Sequence, residues 1–219
     1  MTEVQEHELT HLPFRSWCDH CIRGKAQAGM HRVGAGDKEG DIPNISMDYT
    51  FPGIGEDMSG KEDDEYGMPV LVLYDSCSKA LFASVVQKKG RDPYAIKRTG
   101  QDLKWLGYRR IVFRTDQEPA IKKLKDRVSI EIMREMRECV EREVHGYMEI
   151  ETVPEESPEY ESQSNGGIEN AVKRWQGQLR TMLDALMSKL KSKIESDHVI
   201  LTWIVRYASS VINRFHIGE

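Results

Sequence analysis

Two adjacent apolar runs of strand length constrain the fold more than any other feature of the chain. The runs are PVLVLYDS (69–76) and ALFASVVQKK (80–89), and a short polar turn around Ser76–Lys79 joins them. Both are rich in β-branched and other apolar residues, which favour strands. The pattern therefore predicts two strands joined by a tight turn, and the remaining elements are assigned around this pair.

Three further strands and four helices are predicted on either side of the pair. The runs ISMDYTF (45–51), RRIVFRTD (109–116) and YMEIETV (147–153) have the length and composition of strands. Helices are predicted at 92–108, where Asp92 is placed to cap the first turn, from Ile168 to about Lys193, and at 198–215. The segment 119–144 is predicted to form one long helix or two shorter ones. This order predicts an α/β fold: a mixed five-stranded sheet with helices on both faces.

A short segment dense in histidine and cysteine precedes the predicted sheet. A chain of 219 residues fits one compact domain with a small appendage. We assign residues 1–28 to the His/Cys segment, 29–44 to a Gly-rich polar linker, and 45–219 to the main domain.

Charge and cysteine content restrict the partners and the compartment. The net charge of −5 gives no overall attraction to nucleic acid, so a polyanion site must come from local clustering. No apolar run approaches the roughly 20 residues that span a bilayer, and the acidic, polar start is unlike a secretory signal. Four cysteines with one CxxC pair indicate a reducing compartment. We expect a nuclear or cytoplasmic protein that is neither secreted nor membrane-bound.

Three carboxylates occupy positions that suit two-metal phosphodiester chemistry. Asp48 lies inside an apolar strand, Asp116 ends a later strand, and Glu169 enters the first turn of a long helix. Carboxylates on rigid elements can hold two divalent ions about 4 Å apart, on either side of the reacting phosphate. Each residue alone is more often a cap, a turn former or a partner of the helix dipole. The three residues together are more specific than any one of them, because they occur in the order strand, strand end and helix.

Three segments around these carboxylates resemble a known family. MDYTF, FRTDQEPAI and SQSNGGIENAVKRWQGQLR are similar to the three catalytic blocks of the integrases of retroviruses and long-terminal-repeat retrotransposons, including the copia-like elements. The resemblance extends from about Ile45 to Phe215. It implies a ribonuclease-H-like fold, catalytic Asp48, Asp116 and Glu169, and two Mg²⁺ or Mn²⁺ ions. It also implies 3′-end processing and strand transfer on DNA by a homo-oligomer.

One interval departs from the family pattern. The 52 residues between Asp116 and Glu169 exceed the usual family spacing, and the surplus falls around Glu131–Glu143 and Pro154–Glu161. Because the entropy of loop closure grows slowly with length, an insertion there can leave the carboxylates in place.

The helix that carries Glu169 has two neighbouring stripes. Ile168, Val172, Trp175, Leu179, Met182 and Leu186 recur at steps of three and four and predict a buried face. One position on, a polar stripe predicts contacts to DNA: Glu169, Lys173, Gln176 and Arg180. An ordinary solvated face would show the same spacing. Asn165, in the preceding Gly-rich loop, is either a further DNA contact or only the helix cap.

The His/Cys segment offers four metal ligands. His7 and His11 are four residues apart and Cys18 and Cys21 form the CxxC pair, a set that suits zinc. Integrases of the family carry such a zinc module at the N-terminus. The interval between His11 and Cys18 is short for that module, so His20 competes as a ligand, and a module without metal is the alternative. Cys77 and Cys139 are predicted to pack in the interior.

Two other functions compete with the integrase prediction. A ribonuclease H or related nuclease of the same fold would need further acidic ligands, for which Asp102 is the only obvious candidate and is poorly placed. A catalytically inactive nucleic-acid-binding remnant would explain the compressed His/Cys cluster.

Overall fold

The computed structural model describes residues 2–25, 42–52, 68–141, 150–156, 166–195 and 197–215. The strands are β1 (Asn44–Thr50), β2 (Val70–Asp75), β3 (Leu81–Val85), β4 (Arg110–Thr115) and β5 (Glu151–Glu156). The helices are α1 (Glu3–Thr10), α2 (Asp19–Lys25), α3 (Pro93–Leu106), α4 (Pro119–Glu141), α5 (Gly166–Leu190) and α6 (Ile200–Phe215).

The five strands form one mixed sheet in the order β3-β2-β1-β4-β5. β2 pairs antiparallel with both β1 and β3, whereas β4 pairs in parallel with β1 and β5. The predicted hairpin and the predicted mixed five-stranded sheet are therefore confirmed, and the topology is compatible with a ribonuclease-H-like fold.

Two hydrophobic cores lie on opposite faces of the sheet. On one face, Ile45, Met47 and Tyr49 of β1 pack with apolar residues of α3 and α4. On the other, residues of β2 and β3 pack against α5 and α6. Trp175 of α5 is fully buried there, and its indole Nε1 donates to the Val205 carbonyl of α6 at 3.1 Å. The predicted helices on both faces are thus present.

The ends of several elements show what local sequence does and does not specify. Asp92 caps α3 as predicted, because its Oδ1 accepts the Tyr94 backbone N–H at 2.9 Å. β5 continues to Glu156, so Pro154, which follows the predicted strand at 147–153, lies inside the observed strand. It pairs with Phe113 on β4. β5 is an edge strand. Proline is tolerated there because backbone N–H groups on the outer side of the strand have no partner strand to bond.

The opposite edge of the sheet is closed by a side chain. The Asn213 side chain of α6 accepts the Leu81 backbone N–H and donates to the Leu81 carbonyl, both at 2.8 Å. The amide thus occupies the backbone groups at the start of β3 that a further strand would use.

The His/Cys segment packs directly on α5. α2 crosses this helix at Gly24, where an added Cβ would lie 2.1 Å from Thr181 Oγ1 and 2.6 Å from the Thr181 backbone nitrogen. Arg180 Nε donates to the Gly24 carbonyl at 3.2 Å, and Gln178 Nε2 donates to the Thr10 carbonyl at 2.5 Å. Within the described ranges, no helix is both long and apolar enough to cross a membrane.

We expect Gly24→Ala to lower the free energy of unfolding by about 1–3 kcal/mol, because the methyl group meets backbone atoms that cannot rotate away. Gly100→Ala is the matched control: it lies in α3 with nothing within 4 Å of the added Cβ, so it should be neutral or stabilising by up to about 1 kcal/mol. Urea denaturation of both variants measures the difference. Equal stabilities would contradict the close helix crossing.

Candidate active site

The backbone of β1 places Asp48 on the side of the sheet that faces α5. Ile45, Met47 and Tyr49 point into the core under α3 and α4, so Ser46, Asp48 and Thr50 point the other way. The carboxylate is half-buried, and its residue pairs with Val72 in the register between β1 and β2.

Asp116 directly follows the last residue of β4, near the carboxyl end of the neighbouring strand β1. Because β4 runs parallel to β1, with Met47 paired to Thr115, the residues that come next on each strand are neighbours. Asp116 Oδ1 accepts the Glu118 backbone N–H at 3.1 Å, a contact that fixes the carboxylate where the chain turns into α4.

Glu169 completes a group of three carboxylates around one cavity. It lies exposed in the first turn of α5. Asp48, Asp116 and Glu169 all line a cavity of about 90 Å³. Its other lining residues are Ser46, Met47, Arg114, Thr115 and Ile168. The structure therefore brings together three residues that lie far apart in the sequence, and their catalytic role stays a prediction.

The surroundings of Asp48 are unfavourable for its charged form. Burial raises the pKa of Asp48, and the charges of Asp116 and Glu118 add to this effect, so that the pKa reaches about 6. The Tyr49 backbone N–H and the charge of Lys89 act in the opposite direction. Hard oxygen ligands that repel one another are a donor set that suits Mg²⁺ or Mn²⁺, because a divalent cation removes the repulsion.

The polar stripe on α5 is only partly exposed. Lys173 is exposed as predicted, but Gln176 donates from Nε2 to Thr50 Oγ1 at 2.9 Å and to the Phe51 carbonyl at 3.2 Å. Arg180 bonds the Gly24 carbonyl, and burial lowers its pKa. Gln176 and Arg180 are thus only partly exposed, because β1 and α2 contact them, and their predicted contacts with DNA stay predictions. Asn165 lies outside the described residues.

The four predicted ligands of the His/Cys segment form one buried cluster. Atoms of His7, His11, Cys18 and Cys21 that could ligate a metal all lie within 4.8 Å of one another. Cys18 Sγ is 3.4 Å from His11 Nδ1, and Cys21 Sγ is 3.4 Å from His7 Nε2. A tetrahedral zinc site with its usual bond lengths has sulfur–nitrogen edges of about 3.5 Å. The group therefore fits a metal such as zinc.

The protonation of the two histidines also suits a metal site. Burial lowers the pKa of His11 to about 4, with a further contribution from His7. Burial lowers the pKa of His7 as well. Both imidazoles are thus neutral at physiological pH, the form that ligates metals. His20, the competing candidate, instead bonds Asp184 of α5 through Nδ1 and lies outside the ligand group.

Three further residues bear on the candidate site, on the predicted packing of a cysteine, or on the competing ribonuclease H function. Sequence reasoning missed Arg114, which lines the cavity; its place two residues before Asp116 on β4 was the available signal. Cys77, predicted to pack, is exposed in the turn after β2, so that prediction is wrong. Asp102 pairs with Arg98 at 2.5 Å and lines a separate cavity of about 430 Å³ beside α6. It therefore adds no ligand to the three carboxylates.

No protein-family model matches this chain, and no curated protein matches it. Among solved structures, the chain is similar to one from the cryo-EM structure of the simian T-cell lymphotropic virus intasome in complex with the PP2A regulatory subunit B56 gamma. The TM-score is 0.49 at 16% identity, and the match covers 87% of this chain and 56% of that one.

We expect Asp48→Asn to stabilise the protein in magnesium-free buffer. The pKa of about 6 lies above the ordinary 3.8, so the fold favours the protonated acid. The stability that protonated Asp48 contributes is fully present below its ordinary pKa of 3.8 and is lost as the pH rises through about 6. The gain in melting temperature from Asp48→Asn should therefore be larger at about pH 8 than at about pH 5.

Asp126→Asn, at an exposed position of α4, is the control and should change the melting temperature little at either pH. An Asp48→Asn gain that is the same at both pH values would contradict the burial of a charged carboxylate.

Proposed function

We propose that this chain is the catalytic core of a transposable-element integrase that processes 3′ ends of DNA and transfers strands. The observation that supports this most is the convergence of Asp48, Asp116 and Glu169 on one small cavity. They come from β1, the end of β4 and the first turn of α5, which are the element types predicted for them from the sequence.

In this proposal Asp48 and Asp116 would hold one divalent ion, and Asp48 with Glu169 a second. When bound, two Mg²⁺ or Mn²⁺ ions supply activation of the attacking oxygen and charge stabilisation at the leaving oxygen. The protein fixes the carboxylates on rigid elements: Asp116 by the Glu118 N–H, and Asp48 by its position in a central strand. Lys173 lies one turn beyond Glu169 and is exposed, and in this proposal it would contact a backbone phosphate.

The reaction has two phosphoryl transfers. A water molecule attacks a phosphodiester to release a short end and leave a 3′-hydroxyl, and that hydroxyl then attacks a phosphodiester of target DNA and displaces its 3′ oxygen. We assign this chemistry to residues 45–219 and zinc binding to residues 1–28, joined by a linker at 29–44. The partners are DNA and, in the active state, further copies of the same chain, and the location is the nucleus or the cytoplasm.

Glu169→Gln tests the catalytic role directly. The amide keeps the size of the side chain but removes the charge that a metal requires, so nicking and strand transfer should fall by at least about a hundredfold. DNA affinity should be equal or slightly higher, because a negative charge near the phosphates is lost. Labelled duplex DNA in Mg²⁺ or Mn²⁺ measures both.

Glu195→Gln, at an exposed position before α6, is the matched control and should retain full activity. If the Glu169→Gln protein still nicks DNA as the wild type does, Glu169 is a helix-capping residue. If even the wild type binds DNA without cutting it, the inactive-remnant alternative is correct.

We further propose that His7, His11, Cys18 and Cys21 bind zinc, on the fit of their spacing and their neutral histidines. Purified protein should contain roughly one equivalent of zinc, since four such ligands make a closed structural site. Cys18→Ser should reduce the content below about half. Cys77→Ser, at an exposed cysteine outside the cluster, should not change it. Equal zinc in all three proteins would reject the site.

A further inference from the structure

Lys89 lies in the turn that connects β3 to α3, and this turn is bonded to β1. The Gly90 backbone N–H donates to the Tyr49 hydroxyl at 2.9 Å, and Gly90 has a φ of 91°. Asp92 closes the turn from the other side, because its backbone N–H donates to the Gly90 carbonyl and its Oδ2 accepts the Gln87 N–H. The position of Lys89 is therefore set by Tyr49, the residue that follows Asp48.

The ammonium of Lys89 lies over the chain segment that carries Asp48. Its Nζ is 5.9 Å from the centre of the Tyr49 ring and 5.5 Å from that of the Phe51 ring. It is 3.4 Å from Glu118 Oε1, and the Lys89 side chain is 29% exposed. One cation is thus placed between the segment after Asp48 and the segment after Asp116. Its charge favours the ionised form of Asp48, against the larger opposing effect of burial and Asp116.

Stability alone is a weak explanation for this arrangement. An ion pair of this length near the surface contributes about 0–1 kcal/mol, and fixing a lysine side chain opposes that gain by up to about 2 kcal/mol. Because Lys89 remains partly exposed, its flexible stem can present the ammonium to a ligand without moving the backbone. A compact cation beside acidic metal ligands is suited to an anion that arrives with the metals, and a phosphodiester is such an anion.

We propose that Lys89 binds a backbone phosphate of the DNA held at the candidate site, and that Glu118 holds the ammonium in place before DNA arrives. This inference rests on the proposed function, because it takes DNA as the ligand. It makes Lys89 a positioning residue that contacts the DNA strand from the turn after β3, whereas Lys173 contacts it from α5.

The test compares Lys89→Met, Lys89→Arg and the control Lys97→Met, which removes an exposed lysine of α3. The affinity of each protein for a labelled duplex is measured with Ca²⁺ across a range of salt concentrations. Lys89→Met should weaken binding on the order of threefold to tenfold and reduce the salt slope by about one unit, as one lost phosphate contact does. Lys89→Arg and Lys97→Met should bind as the wild type does. A slope and an affinity that Lys89→Met leaves unchanged would overturn the proposal.

A measurement on the wild-type chain covers the case in which Lys89→Met fails to fold. Acylation of lysines with and without the duplex, followed by mass spectrometry, should show protection of Lys89 and none of Lys97. Equal labelling of Lys89 in both conditions would overturn the proposal as well. If the wild type does not bind the duplex at all, the proposed function fails; if it binds while Lys89 is unprotected, only the role of Lys89 fails.

Discussion

The parallel pairing of β1 with β4 is the interaction on which the rest of the candidate site depends. It sets Met47 opposite Thr115 and so brings the next residues, Asp48 and Asp116, to neighbouring positions near the carboxyl ends of the two strands. That proximity opposes folding, since burial and mutual repulsion raise the pKa of Asp48 to about 6. The two hydrophobic cores, one on each face, hold β1 in the centre of the sheet in spite of this repulsion. Functional sites commonly retain such locally unfavourable groups, supported by the surrounding fold.

Much of this framework could be predicted because its signals are local. The apolar runs at 69–76 and 80–89 indicate a hairpin, Asp92 followed by Pro93 marks the start of α3, and the period of α5 predicts its buried face. The resemblance of three short segments then assigned the carboxylates that the structure gathers around one cavity. In each case the sequence signal lies within a short segment, so the prediction does not depend on which other elements pack against that segment.

The parts that escaped prediction depend on which elements meet. Helical period shows that Gln176 and Arg180 lie off the apolar stripe of α5, but not that Thr50 and Gly24 would cover them. Lys89 follows β3 in a turn without a motif, and only the fold places it near Asp48 and Glu118. The α2–α5 crossing is likewise invisible in sequence, because Gly24 resembles any helical glycine until Thr181 packs against it. One helix, α5, thus carries Glu169 at its start and supports the His/Cys cluster further along.

Both edge strands of the sheet carry a feature that opposes pairing with a further strand. At one edge Asn213 occupies the backbone groups of Leu81, and at the other Pro154 lacks the N–H that an incoming strand would require. Both devices discourage the sheet from growing by strand addition, the route by which exposed edges template aggregation. Contacts between copies, where the proposed function requires them, would therefore use helix surfaces and loops in preference to the edges of the sheet.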